Sequence, residues 1–342
     1  MNGYDAVVPG IDLASRTLGG SVLAASDESF GFKERLIEPT EPTFVPGVYD
    51  LRGEVVDGWE TRRHAGLDWA IVRLGVPGRL RAVDVDTRFF TGNHPTGCRI
   101  EACVLDVIAD PTDPRVQWTT VAGPTQLEPD SRNMLTVGDH RRYTHVKLIL
   151  ESDGGVARLR VFGDVIPHPD SWADITVEVS GAEQGGRVEW SSDNFYSNAR
   201  ALTAPDRPRN MGDGWETRRR RDIGPATHDA VMISFAVPTD LQRLEIDTSY
   251  FVFNATPEVA VLGTRKCPDS ESGWALVPFD VPVLPRTSIA ADARQVFIVG
   301  VKGITALRLQ AYPDGGMARV RAFGRPTNEG LARLRSIWEA ST

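Results

Sequence analysis

Asp57-Gly58-Trp59-Glu60-Thr61-Arg62-Arg63 sets two carboxylates, an indole and two guanidiniums side by side. A guanidinium is a planar fork of donors matched to a carboxylate, and an indole can stack on a flat, amide-like group. The carboxylates can accept N–H bonds or exchange protons. A small anion bearing ureido groups suits such a stretch. The alternative is structural: a tight turn at Gly58, with Trp59 and the arginines packing the rim of a domain and pairing internally.

The same letters recur as Asp213-Gly214-Trp215-Glu216-Thr217-Arg218-Arg219. Arg62, Arg63, Arg218 and Arg219 are therefore candidates for an anion clamp, and Trp59 for stacking. Asp57, Glu60, Asp213 and Glu216 are candidate acceptors or proton carriers.

A second chemistry-bearing stretch is Asp86-Thr87-Arg88-Phe89-Phe90-Thr91-Gly92-Asn93-His94-Pro95, where a strand ends and the chain presents Thr, Asn and His. The second copy keeps Asp247, Thr248 and Asn254 but has Ala255 where His94 falls. Asn93 and Asn254 are candidate substrate contacts. His94 is the candidate general acid or base, because imidazole titrates near neutrality. His64 faces Arg220 and His145 faces Ala306, and lone histidines of this kind are more often structural.

Other chemistries lack their motifs. There is no His-x-x-x-His, close Cys pair or EF-hand loop, so no metal site is assigned, and a divalent cation such as Mn²⁺ stays open. There is no Gly-x-x-x-x-Gly-Lys loop or Gly-x-Ser-x-Gly elbow for phosphoryl transfer or serine hydrolysis.

These residues are positioned by a duplicated domain. Val83-Asp84-Val85-Asp86-Thr87 answers Leu244-Glu245-Ile246-Asp247-Thr248, and Asp153-Gly154-Gly155-Val156-Ala157-Arg158 answers Asp314-Gly315-Gly316-Met317-Ala318-Arg319. Ser26-Asp27 resembles Ser192-Asp193, which starts each copy before its heptapeptide. The second copy carries an insertion around Arg220 to Thr227. The order of these stretches is kept throughout, the mark of an internal repeat.

The expected domains are residues 20–165 and 185–326, joined by a Pro- and Gly-bearing linker over 166–184. Short apolar or alternating runs at 70–74, 80–85, 99–105, 145–150 and 157–162, punctuated by Gly, Pro, Asp and Asn, read as strands. Arg158 and Arg160 alternate with Leu159 and Val161, which predicts one wet and one buried face. Asp153-Gly154-Gly155 reads as a hairpin turn into the last strand. No amphipathic helices alternate with the strands, so the fold class is all-β, with two tandem β-sandwiches. After Asn328, Leu331, Leu334, Ile337 and Trp338 fall at helical spacing and predict a short C-terminal helix over 327–342.

With 342 residues, two domains is the ordinary expectation. A net charge of -8 argues against non-specific nucleic-acid binding, which needs a basic field. Cys98, Cys103 and Cys267 are too sparse for a disulfide framework and read as reduced thiols. Residues 1–20 lack the pattern of a signal peptide, and no run approaches the roughly 20 apolar residues of a membrane span. The expected setting is soluble and cytoplasmic.

The chain resembles the allantoicase family. The resemblance rests on the doubled Asp-Gly-Trp-Glu-Thr-Arg-Arg, on Asp-Thr followed by Gly-Asn-His-Pro in the first copy and by Asn in the second, and on Asp-Gly-Gly-x-Ala-Arg in both. It covers about residues 20 to 326. It implies a jelly-roll sandwich in each copy, similar to galactose-binding domains, and hydrolysis of allantoate to ureidoglycolate and urea in purine breakdown. The partners expected are a small-molecule substrate and further copies of the chain, with neither nucleic acid nor membrane. The competing class is a non-catalytic module binding a small molecule or carbohydrate, since fold alone does not confer catalysis.

Overall fold

The structure is a computed structural model that describes residues 10–106, 108–222, 224–268 and 271–342. Residues 1–9 of the N-terminal stretch lie outside the described residues. Two compact units divide the chain: one runs to Val165 and takes in Ala340–Thr342, the other runs from Ile166 to Glu339.

In the first unit one long strand, Asp68–Asp86, serves both layers of a jelly-roll sandwich. Its first half pairs with Ser21–Ala25 and with Arg142–Leu150. Its second half pairs with Arg158–Val165 and Arg132–Thr136. One layer continues from Arg142–Leu150 to Gly97–Cys103 and Thr119–Gln126. The other ends on Ile11–Asp12, whose partners are Gly163 and Phe162. Inward-facing Leu74, Val83, Val85, Ile100, Val146, Leu148, Leu159 and Val161 fill the space between the layers. Removing that apolar surface from water is the main force holding the layers together.

The second unit repeats this plan. Asp229–Asp247 pairs first with Arg187–Ser191 and then with Arg319–Pro326. A single strand, Arg294–Tyr312, runs beside both halves, doing what Arg132–Thr136 and Arg142–Leu150 do separately in the first unit. Val177–Glu178 closes one edge against Gly324 and Phe323.

The C-terminal helix is Asn328–Ala340. Thr327 caps it by accepting from the Gly330 N–H at 3.0 Å, and Leu334 enters the second core.

Several expectations change. The predicted runs 70–74 and 80–85 are one continuous strand. Its middle, Gly75 to Gly78, shows no apolar alternation because the chain is passing between layers there. The domain start expected at residue 20 is earlier, since Ile11–Asp12 already pairs in the first sandwich. Part of the expected linker, Val177–Glu178, is a strand of the second.

Arg158 and Arg160 are not on a wet face. They are 1% and 7% exposed, covered by the segment after Ile37. The Thr40 carbonyl accepts from Arg158 Nε at 3.0 Å and from Arg160 Nη2 at 3.1 Å. A buried guanidinium is tolerable when its donors are satisfied in this way.

Asp153-Gly154-Gly155 is not a hairpin either. It carries the chain from one layer to the other, and Gly155–Val156 pairs with Trp59–Glu60.

Candidate active site

Three segments meet at one end of the first sandwich: the heptapeptide, the loop 86–95 and the turn 153–155. The heptapeptide is anchored from below by Arg158, which donates to the Asp57 carbonyl and, through Nη2, to Asp57 Oδ2, both at 2.8 Å. Arg35 Nη1 meets Asp57 Oδ1 at 2.8 Å, and the Thr43 N–H donates to Oδ2 at 3.0 Å. Burial alone would raise the pKa of Asp57, but the bonds from Arg158, Arg35 and Thr43 outweigh it and hold the carboxyl below its usual range. Asp57 is thus an ionised anchor with its lone pairs engaged, and the catalytic role the sequence offered it does not fit that environment.

Trp59 is also structural. Its side chain has no exposed surface, and its indole N–H donates to the Asp27 carbonyl at 2.7 Å. The stacking role expected for Trp59 is closed to a residue sealed in the core. Removing such an indole typically costs roughly 3–5 kcal/mol of stability.

The next residues turn outward. Thr61 Oγ1 accepts from the Gly154 N–H at 3.0 Å, tying the heptapeptide to the turn. The Gly155 N–H donates to the Asn93 carbonyl at 2.8 Å, tying the turn to the loop. A Cβ on Gly155 would lie 2.0 Å from Phe90, so only glycine allows this approach. Phe89 sits at φ 71°, a left-handed conformation costly for an aromatic residue, and its N–H is held by Asp130 Oδ1 at 2.7 Å.

This frame brings Glu60 and Asn93 together, with Asn93 Nδ2 donating to Glu60 Oε1 at 2.6 Å. Burial raises the pKa of Glu60, and the single bond from Asn93 offsets this only in part. Glu60 Oε2 and Asn93 Oδ1 have no hydrogen-bond partner among the described residues. His94 follows in the same loop. Its Nδ1 is buried with no hydrogen-bond partner among the described residues, a condition that typically costs about 1–3 kcal/mol.

Arg62 is oriented by Asp27, whose Oδ1 accepts the Arg62 N–H at 2.9 Å and whose Oδ2 lies 3.4 Å from Nε. Arg63 is exposed and makes no ion pair among the described residues. Both guanidiniums present donors to solvent.

His64 is placed differently from His94. Its Nε2 lies 3.0 Å from Asp68 Oδ2 and its Nδ1 lies 3.1 Å from the Ala65 carbonyl. The Ala65 carbonyl and the Asp68 carboxylate together raise its pKa.

The second sandwich rebuilds the frame. Trp215 is buried with its indole N–H on the Asp193 carbonyl at 2.7 Å. Thr217 Oγ1 accepts from the Gly315 N–H at 3.1 Å, and the Gly316 N–H donates to the Asn254 carbonyl at 2.8 Å. Asn254 Nδ2 donates to Glu216 Oε1 at 2.7 Å. Arg218 Nε meets Asp193 Oδ2 at 2.7 Å, and Arg219 is exposed with no ion pair among the described residues. Tyr250 repeats the left-handed strain at φ 69°.

Asp213 departs from Asp57. Arg319 still holds its carbonyl, at 2.6 Å, but its carboxylate takes Arg209 instead, and Asp206 receives the second arm of Arg319. Burial would raise the pKa of Asp213, yet the Arg209 bonds hold it low, so it too is an ionised anchor.

The sequence reading missed Asp27 and Asp193, which position Arg62 and Arg218. The repeated Ser-Asp pair at 26–27 and 192–193 was the available signal. It also missed Asp68 and Asp229, buried carboxylates that hold His64 and Arg220 respectively. Among the described residues no group of three or more His, Cys, Asp and Glu side chains is arranged to hold a metal ion, and no helix is long and apolar enough to cross a membrane.

Comparison with known proteins gives concordant results. The family model described as the allantoicase repeat matches residues 11–166 and 177–327. A probable allantoicase of Nocardia farcinica is 43% identical over 92% of this chain and 93% of that protein. One of Rhizobium meliloti is 37% identical over 93% and 96%. A solved allantoicase structure superposes with a TM-score of 0.78 at 29% identity, covering 92% of this chain and 93% of that one. The crystal structure of allantoicase from Saccharomyces cerevisiae gives 0.77 at 28% identity, covering 93% and 94%.

Proposed function

The chain belongs to the allantoicase family, and from that premise we propose that it hydrolyses allantoate to ureidoglycolate and urea in purine breakdown, with the chemistry carried by the first repeat. Allantoate holds one carboxylate and two ureido groups on a single carbon. A site for it needs an anion clamp, acceptors for ureido N–H groups, and a means of giving the departing nitrogen a proton while taking one from water.

Arg62 and Arg63 supply the clamp, pre-oriented on one side by Asp27. Asn93 Oδ1 and Glu60 Oε2 accept ureido N–H bonds. The carbon–nitrogen bond to urea breaks and a carbon–oxygen bond to water forms. Glu60, whose proton affinity is raised by burial, takes the proton from water, and His94 gives one to the leaving nitrogen. The order of the two events does not change this balance. The observation that carries the reading is the half-buried Glu60 held by Asn93, which precedes His94 in the chain, where Nδ1 is buried without a hydrogen-bond partner among the described residues.

The free thiols Cys98, Cys103 and Cys267 support a reducing, cytoplasmic setting. Self-association into a homo-oligomer completes the proposal. Incubation of purified protein with allantoate, with urea measured colorimetrically, tests the reaction. No urea above a buffer control at high enzyme, with Mn²⁺ added, would refute it.

A further inference from the structure

The second repeat keeps the ligand frame and lacks the imidazole. Glu216 and Asn254 meet at 2.7 Å against 2.6 Å for Glu60 and Asn93, and the anchoring bonds from Trp215, Thr217 and Gly316 reproduce those of the first repeat. The half-buried pair leaves Glu216 Oε2 and Asn254 Oδ1 without hydrogen-bond partners among the described residues, as Glu60 Oε2 and Asn93 Oδ1 are in the first repeat. Retaining it after duplication, together with the outward guanidiniums of Arg218 and Arg219, indicates that it meets a ligand. Ala255 stands where His94 would donate a proton.

The surroundings have also changed. The turn Met211–Asp213 brings Met211 Sδ to 3.1 Å from Asn254 Nδ2. Phe195 and Tyr196 stand edge to face at 5.0 Å, where the first repeat has Ser29 and Phe30. Arg218 lies over the Phe195 ring at 5.2 Å. Phe253, beside Asn254, is 97% exposed. Large aromatic surface left in water beside a polar pair is characteristic of a surface that closes on a flat partner.

We infer that the loops of the second repeat form a binding site, without turnover, for a planar ureido- or carboxamide-bearing carboxylic acid. Glu216 and Asn254 accept the N–H groups, Arg219 pairs with the carboxylate, and the aromatic side chains cover the flat faces. The inference rests on the allantoate reading only for the choice of ligand class.

N-carbamoylglycine, which carries one ureido group and one carboxylate, is the probe. Titrating the full chain calorimetrically should give two equivalents per chain. Glu216→Gln should remove one equivalent and Glu60→Gln the other, with each variant's thermal unfolding compared with wild type. Phe253→Ala, a change at an exposed side chain, should weaken the Glu216-dependent equivalent alone, by severalfold or more. Fewer than two equivalents for wild type, or a stoichiometry that Glu216→Gln leaves at two, would overturn the inference. Urea release by wild type is read separately. Its absence would remove the enzymatic reading while the titration still decides this one.

Discussion

The two repeats differ least where they fold and most where they would react. Trp59 and Trp215, Thr61 and Thr217, and Phe89 and Tyr250 hold equivalent places with nearly equal hydrogen bonds and backbone angles. His94 has become Ala255, and His64 has become Arg220. The hairpin Tyr49–Asp50/Gly53–Glu54, with Arg52 over Phe32 at 3.8 Å, stands where the second repeat has the short turn Met211–Asp213. A sandwich whose core and anchors are fixed can exchange the side chains its loops present at small cost in stability. The frame is therefore common to both repeats, and the proposal gives the proton chemistry to one.

Substitutions separate the repeats experimentally. The largest effect is expected from Glu60→Gln, which keeps the Asn93 contact and removes the base. Urea release should fall roughly 10²–10⁴-fold with the fold intact. In wild type the same carboxylate should set the acid limb of the kcat–pH profile above the ordinary glutamate range, because burial raises its pKa. A limb at or below that range would count against Glu60 as base.

His94→Ala should come next, with turnover down by roughly 10²-fold, while Ala255→His raises it far less because the second repeat lacks the rest of the first site's surroundings. A well-folded His94→Ala enzyme with full turnover would remove His94 from the mechanism.

Arg62→Ala should act chiefly on capture. Loss of a charge-assisted pair with the substrate carboxylate, about 1.5–3 kcal/mol, should raise KM by roughly 10- to 100-fold with a smaller loss of kcat. A kcat loss at unchanged KM would place Arg62 elsewhere in the reaction.

The smallest effect concerns the exchange of His64 for Arg220. Both ring nitrogens of His64 face acceptors, so the bonds are complete only when it is protonated, whereas Arg220 holds Asp229 at 2.6 Å at any ordinary pH. A raised folded-state pKa gives stability that is fully present below about 6.5, the unfolded value, and is lost as pH rises through the folded one. Wild-type Tm should thus decline above neutrality, and His64→Arg should flatten the decline. Parallel Tm–pH curves would deny His64 that part.

Much of this was legible in the sequence. The duplicated heptapeptide, the alternating strands and the terminal helix follow from letters and period. So does the choice of Glu60, Asn93, His94, Arg62 and Arg63 as candidates, by residue type. What was not legible depended on long-range packing. Arg158 and Arg160 alternate as wet residues do, and only the segment crossing above them, with the Thr40 carbonyl as acceptor, makes them interior. Trp59 and Asp57 lie in the same motif as Glu60, and nothing local says that the indole is sealed while the next carboxylate faces out. Asp27 is 35 residues from the arginine it holds, and Asp68, though only four residues after His64, is buried and takes a bond from Ser26 Oγ, so their roles appear only when the chain is closed.

On this reading the two equivalent carboxylates do unequal work. Glu60→Gln and Glu216→Gln, measured side by side for kcat of urea release at saturating allantoate, test it most directly. The loss in Glu60→Gln should exceed that in Glu216→Gln by at least about tenfold, the lower part of what a general base contributes. Equal losses, or the larger loss in Glu216→Gln, would contradict it.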